Sequence, residues 1–454
     1  MNDNIAAISS GYNSNQAISI VRVCGPDALE IVNKIFKGQK AKDRSISYGH
    51  IYDKDKLIDE VLVMWFIGSL ENNKIVYHNY VGEPLVEINC HGGVVVTNLI
   101  LELLLRNGAR LAQPGEFTRR AFLNGKMDLI KAEAIHDLIF AKTNKQAQAS
   151  VNRFKGKTAD LIDNLSNKLA YLIGLCEVNI DYPEYNDIEV ITDEDIKPKI
   201  KDLIKELKEI IRVSENSKYI FEGVNTAILG KPNVGKSSLL NALLNDDKAI
   251  VTDIAGTTRD IIEASYQVDG ILFKLIDTAG LRKSDEKIEN IGIEKSLKQI
   301  EKAQLIIHVI DPTQQNNEYD ELIANEAKKY NKKYIKVINK KDLIIDQKNC
   351  ETDEYIYTSA INNDIKELEN KLIKEYSNID IDDDKIMSNT RQISLVKSAL
   401  DSLENAIEAL DNYLSFDVII VDINEAWESL QNIKGKVNRE DLLDVMFKNF
   451  CLGK

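Results

Sequence analysis

The sequence predicts an α+β domain at the N-terminus, an all-α helical domain that is split in sequence, and an α/β domain inserted between the two helical parts. Three observations give this division. Short β-like runs mix with helical segments in residues 1–118, apolar residues recur at helical spacing in 119–218 and 378–454, and strands alternate with helices in 219–377. One helical domain with an insertion is the simplest account of two helical stretches around an alternating one.

The composition is typical of a globular chain with several domains. Its 454 residues exceed what one hydrophobic core supports, and 44% hydrophobic with 29% charged residues argues against disorder. Because the five cysteines are scattered without a C-x-x-C pair, and the first residues lack a secretory pattern, we expect a cytoplasmic protein with reduced thiols. The net charge of −14 disfavours nonspecific nucleic-acid binding by the whole surface, so an RNA substrate would require a local basic patch or a basic partner.

The N-terminal domain is predicted from the β-like runs IAAIS, AISIVRV, VLVMWFI and LVEINC and from helical segments near 27–36 and 94–106. The densest apolar run, VLVMWFIG at 61–68, is far shorter than the ~20 residues that span a bilayer, so we expect a buried strand and no membrane association.

The helical domain is predicted most clearly after residue 191. Thr192 or Asp195 offers an N-terminal cap, and Pro198 favours the later start because proline is tolerated only in the first turn of a helix. The apolar face of this helix comprises Ile196, Ile200, Leu203, Ile204, Leu207, Ile210 and Ile211. A second face, after the insertion, comprises Leu395, Ala399, Leu403, Ala406, Ile407 and Leu410.

A phosphate-binding loop is predicted at 230–238, where GKPNVGKSS follows a strand and opens a helix. Its glycines let backbone N–H groups approach phosphate oxygens, Lys236 neutralises the β and γ phosphates and assists catalysis, and the Ser237 hydroxyl is suited to Mg²⁺.

Three further motifs select guanine nucleotides. DTAG at 277–280 ends a strand where its aspartate can reach the magnesium shell and its glycine N–H can sense the γ phosphate. The Asp342 carboxylate of NKKD at 339–342 can accept hydrogen bonds from N1–H and N2–H₂ of guanine, a donor pair that adenine lacks. TSA at 358–360 supplies a backbone contact to the base. The inserted domain is therefore predicted to be a Ras-like P-loop GTPase.

The segment IVTDIAGTTRD at 250–260 lies between the phosphate loop and DTAG, and its Thr258 is the natural second hydroxyl ligand of Mg²⁺. Leu281 stands directly after DTAG, where a glutamine would orient the attacking water in the Ras pattern, so another group must do so. The nearby acidic candidates are Asp285, Glu286 and Glu289.

The expected GTP contacts are Asn233, Val234, Gly235, Lys236, Ser237, Ser238, Thr252, Thr257, Thr258, Asp277, Thr278, Ala279, Gly280, Asn339, Lys340, Asp342, Ser359 and Ala360.

Over nearly its whole length the sequence resembles the MnmE (TrmE) family of tRNA modification GTPases. The resemblance rests on YVGEPLVEINCHGG at 80–93, AQPGEFTRRAFLNGKMDLIKAEAIHDLI at 112–139, the GTPase motifs above, IGIEKS at 291–296 and the terminal FCLGK. It implies a folate-binding N-terminal domain that also dimerises, and G domains that pair across their nucleotides when potassium is present. By the same resemblance Glu289 orients the catalytic water, and the ligands of K⁺ are Asn233, Thr252, Ile254 and Thr257.

The resemblance also implies a substrate and partners. The family adds a carboxymethylaminomethyl or aminomethyl group to C5 of the wobble uridine of certain tRNAs, together with a FAD-dependent partner, MnmG (GidA), in a heterotetramer or larger complex. A tetrahydrofolate derivative, 5,10-methylene or 5-formyl, supplies the one-carbon unit. The implied folate contacts are Arg22, Glu87, Lys126 and Lys454. A guanidinium and an ammonium suit the carboxylates of folate, and a carboxylate suits the donor edge of the pterin.

The C-terminal FKNFCLGK places Cys451 four residues from the end, as in a prenylation box, but Gly453 and Lys454 do not fit that box. The preceding NREDLLDVMFKNF predicts a last amphipathic helix with Asn438 as a cap, so the tail should be docked and not free. Cys451 is then a candidate nucleophile in the modification chemistry, and a plain free thiol is the alternative.

Two alternative functions remain at this level. The chain could be a regulatory ribosome-assembly or signalling GTPase, or a folate-binding structural protein whose G domain regulates assembly. The 112–139 stretch and the cysteine tail have no reason to occur in a regulatory GTPase of the first kind.

The basic residues Arg119, Arg120, Lys126 and Lys131 are candidates for RNA or folate contact, with a solvated helix face as the alternative. The neighbours Cys90 and His91 should point to opposite faces of a strand, which argues against a Cys/His nucleophile pair.

Overall fold

The computed structural model describes residues 3–10, 16–181, 192–245, 249–250, 264–276, 289–314, 318–344, 355–376, 380–435, 447, 450 and 453. The chain divides into two compact units. The N-terminal unit comprises Met1–His136 and Leu430–Lys454, and the central unit comprises Asp137–Ser429. Within the described ranges, no helix combines the length and the apolar character needed to cross a membrane.

The N-terminal unit is built on one seven-stranded sheet with the order β3-β4-β5-β8-β2-β1-β9, in which only the β1–β9 pair is parallel. Its elements are β1 Ile5–Ile8, β2 Ile18–Cys24, α1 Ala28–Ile35, β3 Phe36–Gly38, β4 Ser45–Asp53, β5 Lys56–Phe66, β6 Ser69–Glu71, β7 Lys74–Val76, β8 Leu85–His91, α2 Val94–Arg106, β9 Arg110–Leu111, α3 Glu116–Leu123 and α4 Leu129–Ile139. The strands expected from the four β-like runs and the helices expected near 27–36 and 94–106 are all present.

The run VLVMWFIG forms the second half of β5, as predicted. Val61, Val63 and Trp65 are buried on the face that packs against α1 and α2, whereas Leu62 on the opposite face is 47% exposed. Alternation of this kind is typical of a strand with one face in the core.

The central unit contains a second seven-stranded sheet with the order β11-β12-β13-β10-β14-β15-β16. Its elements are α5 Asn144–Phe154, α6 Lys157–Asp181, α7 Asp193–Glu222, β10 Val224–Leu229, α8 Lys236–Asn245, β11 Ala249–Ile250, β12 Ser265–Val268, β13 Ile271–Leu275, α9 Glu289–Lys302, β14 Leu305–Ile310, α10 Glu318–Lys329, β15 Lys333–Ile338, a 3₁₀ helix Lys341–Leu343, β16 Ile356–Tyr357, α11 Lys366–Tyr376, α12 Thr390–Asp411 and α13 Phe416–Lys434.

The sheet of the central unit is parallel from β13 through β16, and both of its faces are covered. Alternate residues of β10 show this directly, because Ile228 packs in the cluster around Leu239 of α8 and Ala227 in the cluster around Ile300 of α9. Strands buried on both faces read as continuous apolar runs, which is why NTAIL and LIIHVI were recognisable in the sequence. The predicted combination of an N-terminal α+β fold, helices and a Ras-like α/β fold is confirmed.

The long helices α7 and α12 pack against each other through the faces expected from their spacing. In α7 the buried apolar residues include Ile196, Ile200 and Leu203, and in α12 they include Ala399 and Leu403. The surrounding charged residues remain exposed, so the two helices form an amphipathic pair.

The preferred later start of α7 was wrong. The helix begins at Asp193, and Pro198 lies inside it. The Asp195 carboxylate accepts hydrogen bonds from the backbone N–H and the hydroxyl of Thr192, at 2.9 and 2.7 Å, which stabilises the earlier start. Pro198 removes one helical donor near the N-terminus, and the buried apolar face on both sides of it offsets that loss.

Candidate functional site

The phosphate loop connects the end of β10 to the start of α8, at the carboxyl edge of the parallel strands. Two glycines are required there by space and conformation. At Gly230 a Cβ would lie 2.2 Å from the Val309 carbonyl oxygen, and at Gly235 (φ +95°) it would lie 2.2 Å from Nδ2 of Asn339. Both contacts are closer than a carbon atom allows, so the backbone of the loop approaches its neighbours in a way that only glycine permits.

Lys236, the first residue of α8, carries the positive charge of this loop. Its ammonium donates hydrogen bonds to the carbonyl oxygens of Gly230 (2.8 Å) and Lys231 (2.5 Å). Burial lowers the pKa of Lys236 to about 8. A phosphate group would favour the charged form, so binding of a nucleotide should be coupled to proton uptake by this lysine.

This coupling predicts a pH dependence of nucleotide affinity. The pKa of Lys236 is about 8 in the free protein and should be higher in the complex. The affinity for nucleotide is therefore highest well below pH 8 and falls as the pH rises through 8, by roughly fourfold between pH 7 and 8.5. Titration calorimetry with Mg-saturated GTP at pH 8, in two buffers of different ionisation enthalpy, should show an uptake of about half a proton. Binding at pH 8 without proton uptake would contradict the role of Lys236.

Asn339, directly after β15, connects three loops around the site. It is buried, and its Nδ2 donates to the Val234 carbonyl oxygen at 3.1 Å. Its Oδ1 accepts from the Ala360 N–H at 3.1 Å and from the Thr358 hydroxyl at 3.4 Å. The phosphate loop, NKKD and TSA are therefore brought together by one amide side chain.

Lys340 and Asp342 complete the base side of the site. Lys340 Nζ donates to the Asn233 carbonyl oxygen at 3.0 Å and to Asp311 Oδ2 at 2.6 Å, so its aliphatic stem crosses the phosphate loop. Asp342, on the 3₁₀ helix, is exposed, and its Oδ1 accepts a hydrogen bond of 2.5 Å from the Ser359 hydroxyl. This bond orients the carboxylate that the sequence assigned to the guanine edge.

Asp311 lies beside Lys340 at the candidate nucleotide site, and none of the sequence motifs predicted it. It follows β14 at the same sheet edge and is buried. Although burial alone would raise it, hydrogen bonds from Lys340 and Thr313 keep the pKa of Asp311 below its usual value. An aspartate directly after a buried parallel strand, in LIIHVID, was the available signal.

The other predicted residues of the nucleotide site lie partly within and partly outside the described residues. Ser237 and Ser238 lie in the first turn of α8 beside Lys236, where the Mg²⁺ ligand was expected. Glu289 is the first residue of α9, and its side chain lies outside what the structure describes. The predicted site residues that fall entirely outside the described residues are Thr252, Ile254, Thr257, Thr258, Asp277, Thr278, Ala279 and Gly280. Among the residues described, no group of three or more His, Cys, Asp or Glu is placed to hold a metal ion.

In the N-terminal unit, Arg22 and Glu87 form a directly opposed pair on the adjacent strands β2 and β8. Two nitrogens of the Arg22 guanidinium contact Oε1 of Glu87, at 2.7 and 2.8 Å. Nη1 donates to the Tyr80 hydroxyl and to the Gly453 carbonyl oxygen, both at 2.7 Å. The guanidinium also lies over the rings of Tyr80 and Phe117. Arg22 therefore joins the sheet to the last residues of the chain.

The end of the chain is docked on this unit, as expected. Phe447 is buried, Phe450 packs against Phe447 and His136, and the Gly453 carbonyl oxygen also accepts a hydrogen bond from the Ser9 hydroxyl at 2.9 Å. At Gly453 (φ +88°) a Cβ would lie 2.3 Å from the Ile8 carbonyl oxygen, so glycine is required for this close approach. The predictions for Asn438, Cys451 and Lys454 concern residues outside those that the structure describes.

The other basic candidates of the N-terminal unit have different surroundings. Lys126 Nζ donates to the Tyr77 carbonyl oxygen at 3.0 Å in an exposed position. Arg120 is not on a solvated helix face: it is 1% exposed and contacts the carboxylates of Asp3, Glu83 and Glu116 at 2.8, 3.1 and 3.2 Å. Burial of a guanidinium requires such partners, so Arg120 belongs to an internal ion cluster and is unsuited to RNA contact.

Cys90 and His91 point to opposite faces of β8, as expected. Cys90 is buried near the Ser19 carbonyl oxygen, whereas His91 is exposed and pairs with Asp59 at 2.7 Å. The hydrogen bond that the His91 ring donates to the Asp59 carboxylate raises the pKa of His91. A Cys/His nucleophile pair is therefore absent at this position.

Comparison with known proteins agrees with this geometry. The family described as GTP-binding protein TrmE N-terminus matches residues 4–126, and that described as MnmE helical domain matches residues 129–451. The tRNA modification GTPase MnmE of Mycoplasmopsis pulmonis (strain UAB CTIP) is 54% identical over 454 residues, 100% of either chain. Those of Mycoplasma mobile and Ligilactobacillus salivarius are 52% and 42% identical over 100% of this chain and 100% and 98% of their own.

Among solved structures, the G domain of the T. maritima FeoB iron transporter aligns with 34% of this chain and 98% of its own, at 28% identity and a TM-score of 0.25. The assignment rests on the relatives that align along the whole chain. Because the two family models cover most of the chain and relatives of this similarity align along all of it, the chain belongs to the MnmE (TrmE) family of tRNA modification GTPases and is a GTP hydrolase.

Proposed function

We propose that this GTPase couples GTP hydrolysis to the addition of a carboxymethylaminomethyl or aminomethyl group to C5 of the wobble uridine of certain tRNAs. The observation that carries the proposal is the meeting of Arg22, Glu87 and Gly453 in the N-terminal unit. A GTPase that acts only as a switch has no need to fasten its C-terminal tail to a half-buried arginine on a separate sheet. A binding site completed by that tail explains the contact.

A tetrahydrofolate derivative, 5,10-methylene or 5-formyl, is the proposed one-carbon source. The donors and acceptors fit such a ligand: Arg22 and Lys126 are cations suited to its carboxylates, and Glu87 can accept from the pterin donor edge. Because both Arg22 contacts go to Oε1 of Glu87, we assign Oε2 to the pterin. We propose that Lys454 contributes a further cation and that Cys451 acts as a nucleophile in the modification reaction.

On the nucleotide side, we propose that Lys236 neutralises the β and γ phosphates while Ser237 and Thr258 hold Mg²⁺. Asn233 lies on the phosphate loop with φ of +64°, and its backbone carbonyl oxygen accepts a hydrogen bond from Lys340. The side-chain amide of Asn233 is the group that we propose as a ligand. Amide and carbonyl oxygens suit a hard cation. By the family resemblance we propose Asn233, with Thr252, Ile254 and Thr257, as ligands of a K⁺ ion that neutralises developing negative charge between paired G domains.

We propose a homodimer that acts in the cytoplasm with a FAD-dependent partner of the MnmG (GidA) type, as a heterotetramer or larger complex. The net charge of −14 makes tRNA binding by this chain's whole surface unfavourable. Binding of the tRNA jointly with the partner resolves that difficulty.

The test is mass spectrometry of wobble uridine in tRNA from a strain that lacks the gene. We expect the modified nucleoside to disappear and to return on complementation with the wild-type chain. Unchanged modification in the deletion strain would overturn the proposal, whatever the GTPase activity.

The variant Arg22→Gln sharpens this test. It removes the guanidinium that holds Glu87 and Gly453, so we expect modified uridine to fall by at least tenfold, the loss of about 1.4 kcal/mol or more in binding the ligand. The kcat for GTP hydrolysis should stay within about twofold, because the change lies in the N-terminal unit. Arg106→Gln, an exposed arginine of the same unit paired with Asp53, is the matched control and should keep full modification. Full modification by a folded Arg22→Gln protein would contradict the assignment.

A further inference from the structure

A buried polar cluster lies beneath the start of the phosphate loop, outside the nucleotide motifs. Lys231 Nζ contacts Asp320 Oδ2 of α10 at 2.6 Å, with side-chain exposures of only 12% and 7%. The other oxygen of the same carboxylate, Oδ1, lies 3.1 Å from Nε2 of His308 on β14. His308 Nδ1 lies 2.6 Å from the Tyr334 hydroxyl of β15.

The chemistry of the cluster defines its proton positions. A carboxylate only accepts, so His308 donates from Nε2 to Asp320, and its Nδ1 then accepts from the Tyr334 O–H. Burial lowers the pKa of His308, so the ring is neutral and Lys231 supplies the positive charge opposite Asp320. Both oxygens of Asp320 thus accept hydrogen bonds, Oδ2 from Lys231 and Oδ1 from His308. The Asp320 carboxylate on α10 is thereby connected to the start of the phosphate loop and, through His308 and Tyr334, to β14 and β15.

The cluster is placed to act on nucleotide binding. Lys231 follows Gly230, and the carbonyl oxygens of these two residues accept the hydrogen bonds of Lys236. Tyr319, next to Asp320 in α10, contacts the Ser296 hydroxyl of α9 at 2.7 Å, and α9 begins at Glu289. Asp320 therefore contacts the loop expected to hold phosphates, and its neighbour Tyr319 contacts the helix expected to supply the water-orienting residue.

An ion pair of this kind is weak evidence for stability alone, because desolvation of the two charges offsets much of their attraction. Its geometric effect is different: it fixes the start of a glycine-rich loop that would otherwise adopt several conformations. The bound conformation of that loop determines where the N–H groups and the Lys236 ammonium meet the phosphates.

We propose that Asp320 is a positioning residue for GTP binding, which acts through Lys231 to hold the phosphate loop in its phosphate-binding conformation. His308 and Tyr334 orient the Asp320 carboxylate. The proposal rests on the GTPase activity and is independent of the reaction on tRNA, so its test uses GTP alone.

The first test is the full-length Asp320→Asn variant. If the loop spends about a tenth of its time in the competent conformation without the tether, the Kd for a fluorescent GTP analogue rises about tenfold. Once GTP is bound the loop is ordered again, so kcat at saturating GTP stays within about twofold. Glu326→Gln, on the same helix with the exposed partner Lys329, is the matched control and should leave Kd unchanged. An unchanged Kd in folded Asp320→Asn would overturn the proposal.

The double variant Lys231→Met, Asp320→Asn separates positioning from plain stability. Removing both charges eliminates the uncompensated buried ammonium, so the Tm should return toward the wild-type value while the Kd stays raised. Lys231→Arg keeps the ion pair and should bind GTP within about twofold of the wild type. If the double variant regains both Tm and Kd, the tether has no positioning role. This variant also carries the test if Asp320→Asn does not fold.

Discussion

The variant Asp342→Asn is expected to lower the affinity for GTP by at least about 100-fold and to raise that for xanthosine triphosphate. A hydrogen bond to a charged acceptor contributes about 1.5–3 kcal/mol, and the carboxylate is assigned two such bonds from guanine. Ser359 holds Oδ1 of Asp342, so in the variant the amide nitrogen takes the other position and faces the base. There it repels the guanine amino group but can donate to the second carbonyl of xanthine.

Equilibrium binding of fluorescent analogues of GTP, GDP and the xanthine nucleotides measures this exchange of specificity. Asp364→Asn is the control, because it removes an exposed carboxylate from the same region, near Lys341, without touching the base edge. Retained preference for guanine in Asp342→Asn would show that another group reads the base. Loss of both nucleotides together would indicate damage to the loop.

The variant Glu289→Ala is expected to slow GTP hydrolysis by about 100-fold or more while GTP binding stays within about twofold. Positioning or deprotonation of the attacking water by a carboxylate contributes about 10²–10⁴ in rate. Leu281 cannot take that role, and Glu289, which the family resemblance implies as the water-orienting residue, is the first residue of α9. A residue that acts only on the water affects kcat and leaves the ground-state contacts to phosphate and base intact.

Single-turnover phosphate release in potassium-containing buffer, with the Kd measured in parallel, tests this second prediction. Glu301→Ala is the matched control, since Glu301 is an exposed carboxylate near the other end of the same helix. Wild-type turnover by Glu289→Ala would mean that the water is oriented elsewhere, and Asp285 and Glu286 would be the next candidates.

Much of the nucleotide site could be predicted because its motifs are local. GKPNVGKSS, NKKD and TSA each lie where a buried strand ends, and the carboxyl ends of parallel strands share one edge of a sheet. That rule places Lys236, Asn339 and Ser359 together before any coordinates are known. In the structure the Asn339 amide forms hydrogen bonds with Val234 of the phosphate loop and with Thr358 and Ala360 of TSA.

The N-terminal unit could be predicted less well. The family resemblance implied Arg22 and Glu87 as contacts of one ligand, but periodicity and spacing do not pair them, because the two residues are far apart in the chain and meet only through the register of β2 and β8. The burial of Arg120 among Asp3, Glu83 and Glu116 was missed for the same reason. A charge in a sequence indicates a cation, but its surroundings depend on which strands and helices pack around it.

The sequence by itself determined the class of each domain, the nucleotide and the family, because periodicity and short motifs are properties of neighbouring residues. Tertiary structure alone decided the start of α7 before Pro198, the docking of Gly453 on Arg22, and the contact of Lys231 with Asp320 and His308. Each of these depends on burial and on partners distant in the chain, whose contribution offsets a local cost such as a proline in a helix or a charge removed from water.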